Sequence, residues 1–213
     1  MAGRQPTIDP ELKAHREWLG YLQPVGLVVA PAAMLEADWI VTRSGSELLQ
    51  RQERYREALT PLNGADDADD NDVEHGFLAL CDLLGEHMGW NPGDLDQNPE
   101  TIAAYNKELP ELGETLAPTA VVPAATGDGA QLLVVELPAR AAMDQKFAAG
   151  EQLWRASAQE RLERLLRETG VEAGLLFNGS HLRLVVAPKG ESSGHLTFRL
   201  SDLAEVSGRM MFS

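Results

Sequence analysis

One stretch near the C-terminal end, RASAQERLERLLRETGVEAGLLFNGSHLRLVVAP, constrains the fold more than any other part of the chain. Ser157 and Glu160 have the spacing of a helix capping box, and Gly170 suits the left-handed residue that ends a helix. The dipeptide Asn178-Gly179 lies between two apolar runs, which is the strongest short-range signal for a β-hairpin. The stretch therefore predicts a helix, a strand, a tight turn and a second strand, and HLTFRL after it predicts one more strand. The predicted inward face of the helix is formed by Leu162, Leu165 and Leu166.

The rest of the chain divides into a helical part and a mixed part. Helical periodicity or caps predict helices over 9–22, 31–41, 46–59, 73–90 and 98–109, whereas 23–31 reads as an extended run. The segment 63–72 holds five aspartates without the spacing of a calcium-binding loop, which predicts a solvated acidic loop. We therefore expect an α+β or α/β protein in which a mainly helical region, 1–112, packs on a mixed-sheet region, 113–213.

Composition limits the classes of function. The chain has 213 residues, with 33 acidic and 18 basic side chains and a net charge of -15, so it is a poor candidate for tight DNA binding on its own. The single cysteine, Cys81, excludes an intramolecular disulfide framework, and no signal peptide or long apolar run is visible. These features predict a cytoplasmic protein without a membrane span. The apolar ending MMF predicts either further sequence beyond it or a docked tail.

The candidate site lies in LAPTAVVPAATGDGAQLLVVELPAR, where runs 115–123 and 131–137 predict two strands joined by a Gly-Asp-Gly turn. Metal-dependent nucleases of the PD-(D/E)xK superfamily carry two carboxylates for Mg²⁺ and a lysine on such a strand pair. Here Thr119 stands at the aspartate position, Glu136 at the second acid and Pro138 at the lysine. Because proline has no amine and threonine is a weak metal ligand, the pattern is that of a degenerate site.

Three interpretations of this stretch remain open at the level of sequence. It is a degenerate nuclease site, an ordinary hairpin, or an active Mg²⁺ site in which Asp128 joins Glu136 as a metal ligand and Lys146 replaces the lysine. Motifs for S-adenosylmethionine, ATP or zinc are not found. The arginines of the helix after residue 157 alternate with glutamates, which predicts a salt-bridged face. The candidate contacts for DNA or a partner are Arg183, Lys189 and Arg199.

Several segments resemble the N-terminal region of large adenine-specific DNA methyltransferases from restriction–modification and DISARM-like phage-defence systems. They are HREWLGYLQPVGLVVAP, LAPTAVVPA and the long segment from RASAQERLERLL to LAEVSGR. The resemblance implies a nuclease-like α/β module that precedes methyltransferase and target-recognition domains. It also implies that S-adenosylmethionine binds in sequence downstream of this chain and that DNA is contacted in the full protein. The expected function is an inactive scaffold or DNA-positioning module; the alternatives are an active Mg²⁺-dependent endonuclease and a stand-alone protein-interaction domain.

Overall fold

The structure is a computed structural model that describes residues 10–22, 24–26, 28–38, 41, 45–62, 73–126, 128–147 and 154–212. Its helices are α1 (Pro10–Tyr21), α2 (Pro31–Glu36), α3 (Ser46–Ala58), α4 (Leu80–Asp82), α5 (Pro99–Ala104), α6 (Ala158–Thr169) and α7 (Leu200–Leu203), with a π-helical turn over Leu83–His87 and a 3₁₀-helix over Val206–Phe212. Its strands are β1 (Thr60–Pro61), β2 (His75–Gly76), β3 (Lys107–Leu109), β4 (Glu114–Leu116), β5 (Ala120–Pro123), β6 (Ala130–Glu136), β7 (Ala173–Phe177), β8 (His181–Val186) and β9 (Gly194–Arg199).

A five-stranded mixed sheet with the order β5-β6-β7-β8-β9 forms the centre of the structure. Strands β6 and β7 are parallel, with Glu136 opposite Phe177, and α6 makes the crossing connection between them. The other neighbouring strands are antiparallel. The prediction of a mixed sheet combined with helices is therefore confirmed, and so is the order of strand pair, helix, hairpin and strand.

Side chains alternate between the two faces of the sheet, and each face has its own apolar core. On one face Val121, Leu133 and Leu176 pack under α6 and the β3–β4 hairpin. On the other face Val134 and Phe177 pack under α3, the helical segment from Leu80 and the C-terminal helices. A third cluster places α1 and α2 on Leu196 of β9. Residues from before and after position 112 thus share the same cores.

Helix α6 lies very close to the sheet because β7 has a glycine beneath it. A β-carbon at Gly174 would lie 2.7 Å from the carbonyl oxygen of Leu133 and 3.2 Å from side-chain carbons of Leu162 and Leu166. The predicted ends of α6 are confirmed: Ser157 and Glu160 form the capping box, and Gly170 has a φ of 77°. The close approach allows the leucines of α6 to fill the face of the central strands.

Tertiary pairing explains where the predicted helices were too long. The predicted helix over 73–90 begins only at Leu80, because 75–76 forms a strand with β1. The predicted helix over 98–109 ends at Ala104, because 107–109 pairs with β4. The β1–β2 pairing joins residues 14 and 16 positions apart and β3–β4 is a short hairpin, and helical periodicity within one segment reveals neither pairing.

Smaller differences occur elsewhere. The helix predicted over 31–41 ends at Glu36, and the strand predicted over 115–123 is interrupted between β4 and β5. In the extended run 23–31, a single bridge joins Val25 to His195. The acidic loop 63–72 and the proposed cap Asp9 lie outside the described residues.

The C-terminal segment packs on α3 through hydrogen bonds to its backbone. Gln52 donates to the carbonyl oxygen of Leu203 at 3.1 Å, and Arg51 donates to that of Phe212 at 2.8 Å. Tyr55 donates to the carbonyl oxygen of Leu200 at 2.9 Å, and its ring contacts Phe212. These contacts connect the first half of the chain to its last residues.

Replacing Gly174 with alanine is expected to lower the free energy of unfolding by about 1–3 kcal/mol, because the new methyl group must displace a strand carbonyl and two leucines. Gly20 in α1 provides the matched control, since a β-carbon there meets no atom within 4 Å. Gly20→Ala should leave stability unchanged or slightly raised. Urea denaturation of both variants measures the difference; equal stabilities would contradict the close packing of α6 on β7.

Candidate functional site

Glu136 is the last residue of β6 and lies at the edge of the face covered by α3 and the helical segment from Leu80. Its carboxylate is partly buried. The oxygen Oε2 accepts a long hydrogen bond of 3.4 Å from the backbone N–H of Leu80, the first residue of α4. The acid is therefore bound to the N-terminal end of a helical segment, where backbone N–H groups favour negative charge.

Thr119 lies beside Glu136, but it contacts the backbone of β6. Its N–H donates to the carbonyl oxygen of Val134 at 2.7 Å. Its hydroxyl donates to the same oxygen at 3.2 Å and accepts the N–H of Glu136 at 2.9 Å. The threonine hydroxyl thus completes the ladder of hydrogen bonds where β5 begins. The structure places Thr119 and Glu136 side by side, and the threonine hydroxyl has a backbone partner on each side.

Pro138 ends the strand and starts a turn. The preceding Leu137 donates its N–H to the carbonyl oxygen of Phe177 at 2.7 Å, and Ala141 donates to Pro138 at 3.0 Å. Arg140 in this turn has a φ of 62°, a left-handed conformation that is uncommon outside glycine. Its N–H donates to the carbonyl oxygen of Asn178 at 2.8 Å, which holds the turn in place. At the position where a nuclease would have lysine, the chain therefore turns sharply away from the sheet.

The two candidate substitutes do not complete the site. Asp128 is in the turn before β6, so about 20 Å or more of extended strand separates it from Glu136. Two ligands of one Mg²⁺ ion each lie about 2 Å from the metal, so the expectation that these two acids share a metal is wrong. The ammonium of Lys146 pairs with Glu160 at 2.6 Å, next to the capping box of α6. This contact holds the pKa of Glu160 below its usual value and gives Lys146 a role at the start of that helix.

Arg183 is buried, which corrects its prediction as a contact for DNA or a partner. Its guanidinium makes a two-pronged ion pair with Asp144, at 2.6 and 2.9 Å, and also donates to Thr197 and Gln159. Only 8% of its side chain is exposed. The hydrogen bonds from Arg183 lower the pKa of Asp144. This arginine fastens the segment after β6 to strands β8 and β9.

The remaining candidate cations do not form one patch. Lys189 is exposed in the turn between β8 and β9, whereas Arg199 is the last residue of β9, about 17 Å further along the strand. Arg199 also lies 3.9 Å from Asp202. The predicted salt-bridged face of α6 is confirmed, and its partners include acids from other segments. The pairs are Arg161–Glu114, Arg164–Glu111, Arg164–Glu168 and Arg167–Glu163.

A polar cleft of about 290 Å³ follows the turn after β6, and no motif in the sequence indicates it. Arg140 pairs with Glu74 at 3.1 Å across this cleft, and Ser180 contacts Nδ1 of His181 at 2.9 Å. Burial lowers the pKa of His181. The lining residues come from three separate segments, at 74, 140–145 and 178–183, and each ion pair is formed within the cleft itself. No local pattern could have indicated Arg140, because its conformation is imposed by Asn178.

The described residues contain no group of three or more His, Cys, Asp or Glu side chains that could hold a metal ion. His87 packs against two aromatic rings, with ring centroids 5.2 Å from that of Tyr55 and 5.3 Å from that of Phe77. In the part of the chain that is described, no helix is long and apolar enough to cross a membrane. No family model, no curated protein and no solved structure matches this chain.

Replacing Thr119 with valine is expected to lower the free energy of unfolding by roughly 1–2 kcal/mol, since both hydrogen bonds of the hydroxyl to β6 are lost while shape is kept. Thr119→Ser is the matched control, because it retains the hydroxyl and should lose much less. Chemical denaturation measures the free energy of unfolding of both variants, and hydrogen exchange at the Glu136 amide reports the local effect. If valine is as stable as threonine and the Glu136 amide stays protected, the ladder role is wrong.

The histidine at position 87 should make stability depend on pH. Burial lowers its pKa below the usual 6.5, outweighing Glu86. As pH falls below 6.5 the unfolded chain gains a proton that the folded chain does not, so the free energy of unfolding should decrease. We expect His87→Phe to flatten this decrease between about pH 7 and about pH 5. Urea titrations at several pH values test it, and identical slopes for the two proteins would contradict it.

Proposed function

We propose that this chain is a nuclease-like, catalytically inactive scaffold module of a defence-system adenine DNA methyltransferase. The observation that carries the proposal is the state of the strand pair: Glu136 is bound to a helix N-terminus, and the hydroxyl of Thr119 is used in the ladder. A strand pair with one acid at its end is what remains of a metal site after the other groups are lost.

The order of elements supports the nuclease-like part of the proposal. A helix, a strand pair bearing the motif, a crossing helix and a further strand are typical of the PD-(D/E)xK superfamily. In this chain α5 precedes the pair β5–β6, α6 crosses, and β7 adds in parallel beside β6. Because many proteins share a mixed sheet with one crossing helix, this order supports an ancestry and does not by itself identify an activity.

The chemistry supports the inactive part. Hydrolysis of a phosphodiester by this class needs a metal held by at least two acids, together with a cation near the attacking water. Thr119, at the position of the first acid, uses its hydroxyl in the ladder, and Pro138 supplies neither an amine nor an N–H. A single carboxylate that already accepts a backbone hydrogen bond holds Mg²⁺ poorly.

The distribution of charge supports the scaffold part. The chain has a net charge of -15, and the arginines on α6 from Arg161 to Arg167 pair with acids of the same chain. Tight contact with DNA therefore depends on downstream methyltransferase and target-recognition domains, which also bring S-adenosylmethionine, whereas the isolated chain contacts DNA only weakly. The module contributes a rigid α+β body that orients those domains.

Incubation of supercoiled plasmid with the purified chain and either Mg²⁺ or Mn²⁺ is expected to give no metal-dependent nicking. Glu136→Ala, expressed and purified in the same way, is the control for contaminating nucleases, and both proteins should show the same background. The physical reason is that a threonine and a proline stand where a second acid and a lysine would be needed beside Glu136. Cleavage that appears in the wild type and disappears in Glu136→Ala would instead establish the active Mg²⁺-dependent endonuclease.

A gel-shift titration separates a DNA-positioning module from a stand-alone protein-interaction domain. A positioning module should retard duplex DNA weakly at low salt. The retardation should fall steeply as the salt concentration rises, since contacts with phosphates release counterions. Lys189→Glu, at an exposed position, should weaken the shift without changing stability. No shift even at low salt would favour the interaction domain.

A further inference from the structure

A cavity of about 390 Å³ lies between the helical segment 80–88 and the loop 90–97, and Cys81 of α4 is among its lining residues. We call it the Trp90 cavity. Its wall is formed by Leu84, Gly85, Trp90 and Leu95, with Asn91 and Gln97 also lining it. A volume of this size is in the range of small-ligand sites. None of the groups discussed for the candidate nuclease site lines it.

The cavity exists because the backbone around it is held in an unusual shape. The helix from Leu80 changes to a π-helical turn over 83–87, a feature that is found frequently at functional sites. Gly89 then adopts a φ of 73°, which turns the chain so that the N–H of Trp90 donates to the carbonyl oxygen of Leu84 at 3.1 Å. The indole is thereby brought back over the helix that it follows.

The outer wall is fixed to the central sheet. Asp96 exchanges two backbone hydrogen bonds with Val121 of β5, each 2.8 Å long. The carboxylate of Asp96 accepts the N–H of Asn98 at 2.8 Å and the hydroxyl of Thr101 at 2.9 Å. Asp94 accepts the N–H and the side-chain amide of Asn91. The walls are therefore preformed, which lowers the cost of ordering them around a ligand.

The lining has the chemistry of a site for a flat, uncharged, hydrogen-bonding molecule. The indole of Trp90 offers an aromatic face, and leucines 84 and 95 supply apolar contact. The side chains of Asn91 and Gln97 are carboxamides, each of which carries both donors and an acceptor. Carboxamides pair in this way with the N–H and C=O edges of nucleobases.

The charges around the cavity restrict the class of ligand further. Among the described residues that line the cavity, none is charged. The acids Asp82 and Glu86 directly follow lining residues on the same helical segment and are exposed. A ligand with a phosphate would be repelled by these carboxylates, whereas an uncharged ligand would not.

We propose that the Trp90 cavity binds an uncharged nucleobase or nucleoside, with the base stacked on Trp90 and its edge bonded to Gln97 and Asn91. This inference does not depend on the proposed scaffold function. It concerns a different surface, and a nuclease-like ancestry does not require it. A second cavity of about 360 Å³ is also lined by Trp90, which leaves the indole room to adjust to the bound ring.

The test uses adenosine, uridine and adenosine monophosphate as probes, with saturation-transfer NMR and tryptophan fluorescence as readouts. Adenosine and uridine should bind, adenosine more tightly because its larger ring stacks more surface. At low salt, the affinity for adenosine monophosphate should be lower than that for adenosine by a factor of about five or more. Added salt should reduce this difference. Failure of both nucleosides to bind, or equal binding of the monophosphate at low salt, overturns the proposal.

Gly85 offers a matched pair of variants that locates the binding. A β-carbon there meets only the carbonyl oxygen of Trp90 at 3.8 Å, so a side chain fits without disturbing the backbone. Gly85→Leu should fill the cavity and abolish binding, whereas Gly85→Ala should retain it, with unchanged circular dichroism in both. Gln97→Met, on the exposed loop, should weaken adenosine binding about fivefold by removing the carboxamide. Unchanged adenosine affinity in Gln97→Met, or in a folded Gly85→Leu, overturns the assignment.

Discussion

The turn that follows β7 holds the structure together through the polar groups of one buried residue, Asn178. Its Oδ1 accepts the N–H of His181 at 2.7 Å and the N–H and hydroxyl of Ser180, and its Nδ2 donates to the carbonyl oxygen of Ala141 at 2.9 Å. Its own carbonyl accepts the N–H of Arg140. The next residue, Gly179, accepts the N–H of Phe77, and Ser180 accepts that of Leu200. Three distant segments, at Phe77, at 140–141 and at Leu200, therefore bond to one turn, and each would bury an unpaired polar group without it.

This turn also fixes the candidate site. Arg140 and Ala141, in the turn that follows β6, are hydrogen-bonded to Asn178. Phe77, which precedes α4, is hydrogen-bonded to Gly179. Glu136 lies between these two anchored segments, so the position of its carboxylate depends on backbone contacts that involve no metal. The positive φ of Arg140 belongs to the same arrangement, because its N–H must reach the carbonyl oxygen of Asn178.

The sequence predicts the structure correctly where the signal is local. The capping box of α6, its glycine end and the hairpin after β7 are set by residues a few positions apart, and all are present. The hairpin turn is centred on Gly179 and Ser180, one position later than the Asn-Gly pattern predicts, because Asn178 stays paired with His181. The sequence does not predict contacts between residues that are far apart in the chain. Nothing near Arg183 indicates that Asp144, 39 positions earlier, neutralises it. Likewise, the helical pattern over 73–90 does not reveal the pairing of its first residues with β1.

The acid at position 136 does not need a metal to account for its presence. Helix α4 begins at Leu80 with an extended residue before it and no side chain that caps its first N–H groups. Glu136 supplies an acceptor to that end from across the sheet, at 3.4 Å. A negative charge at this position is stabilised by the unpaired N–H groups of the helical segment. A carboxylate that accepts a hydrogen bond from the start of a helix across the sheet therefore has a structural role of its own, beside a threonine that completes the ladder and ahead of the turn at Pro138.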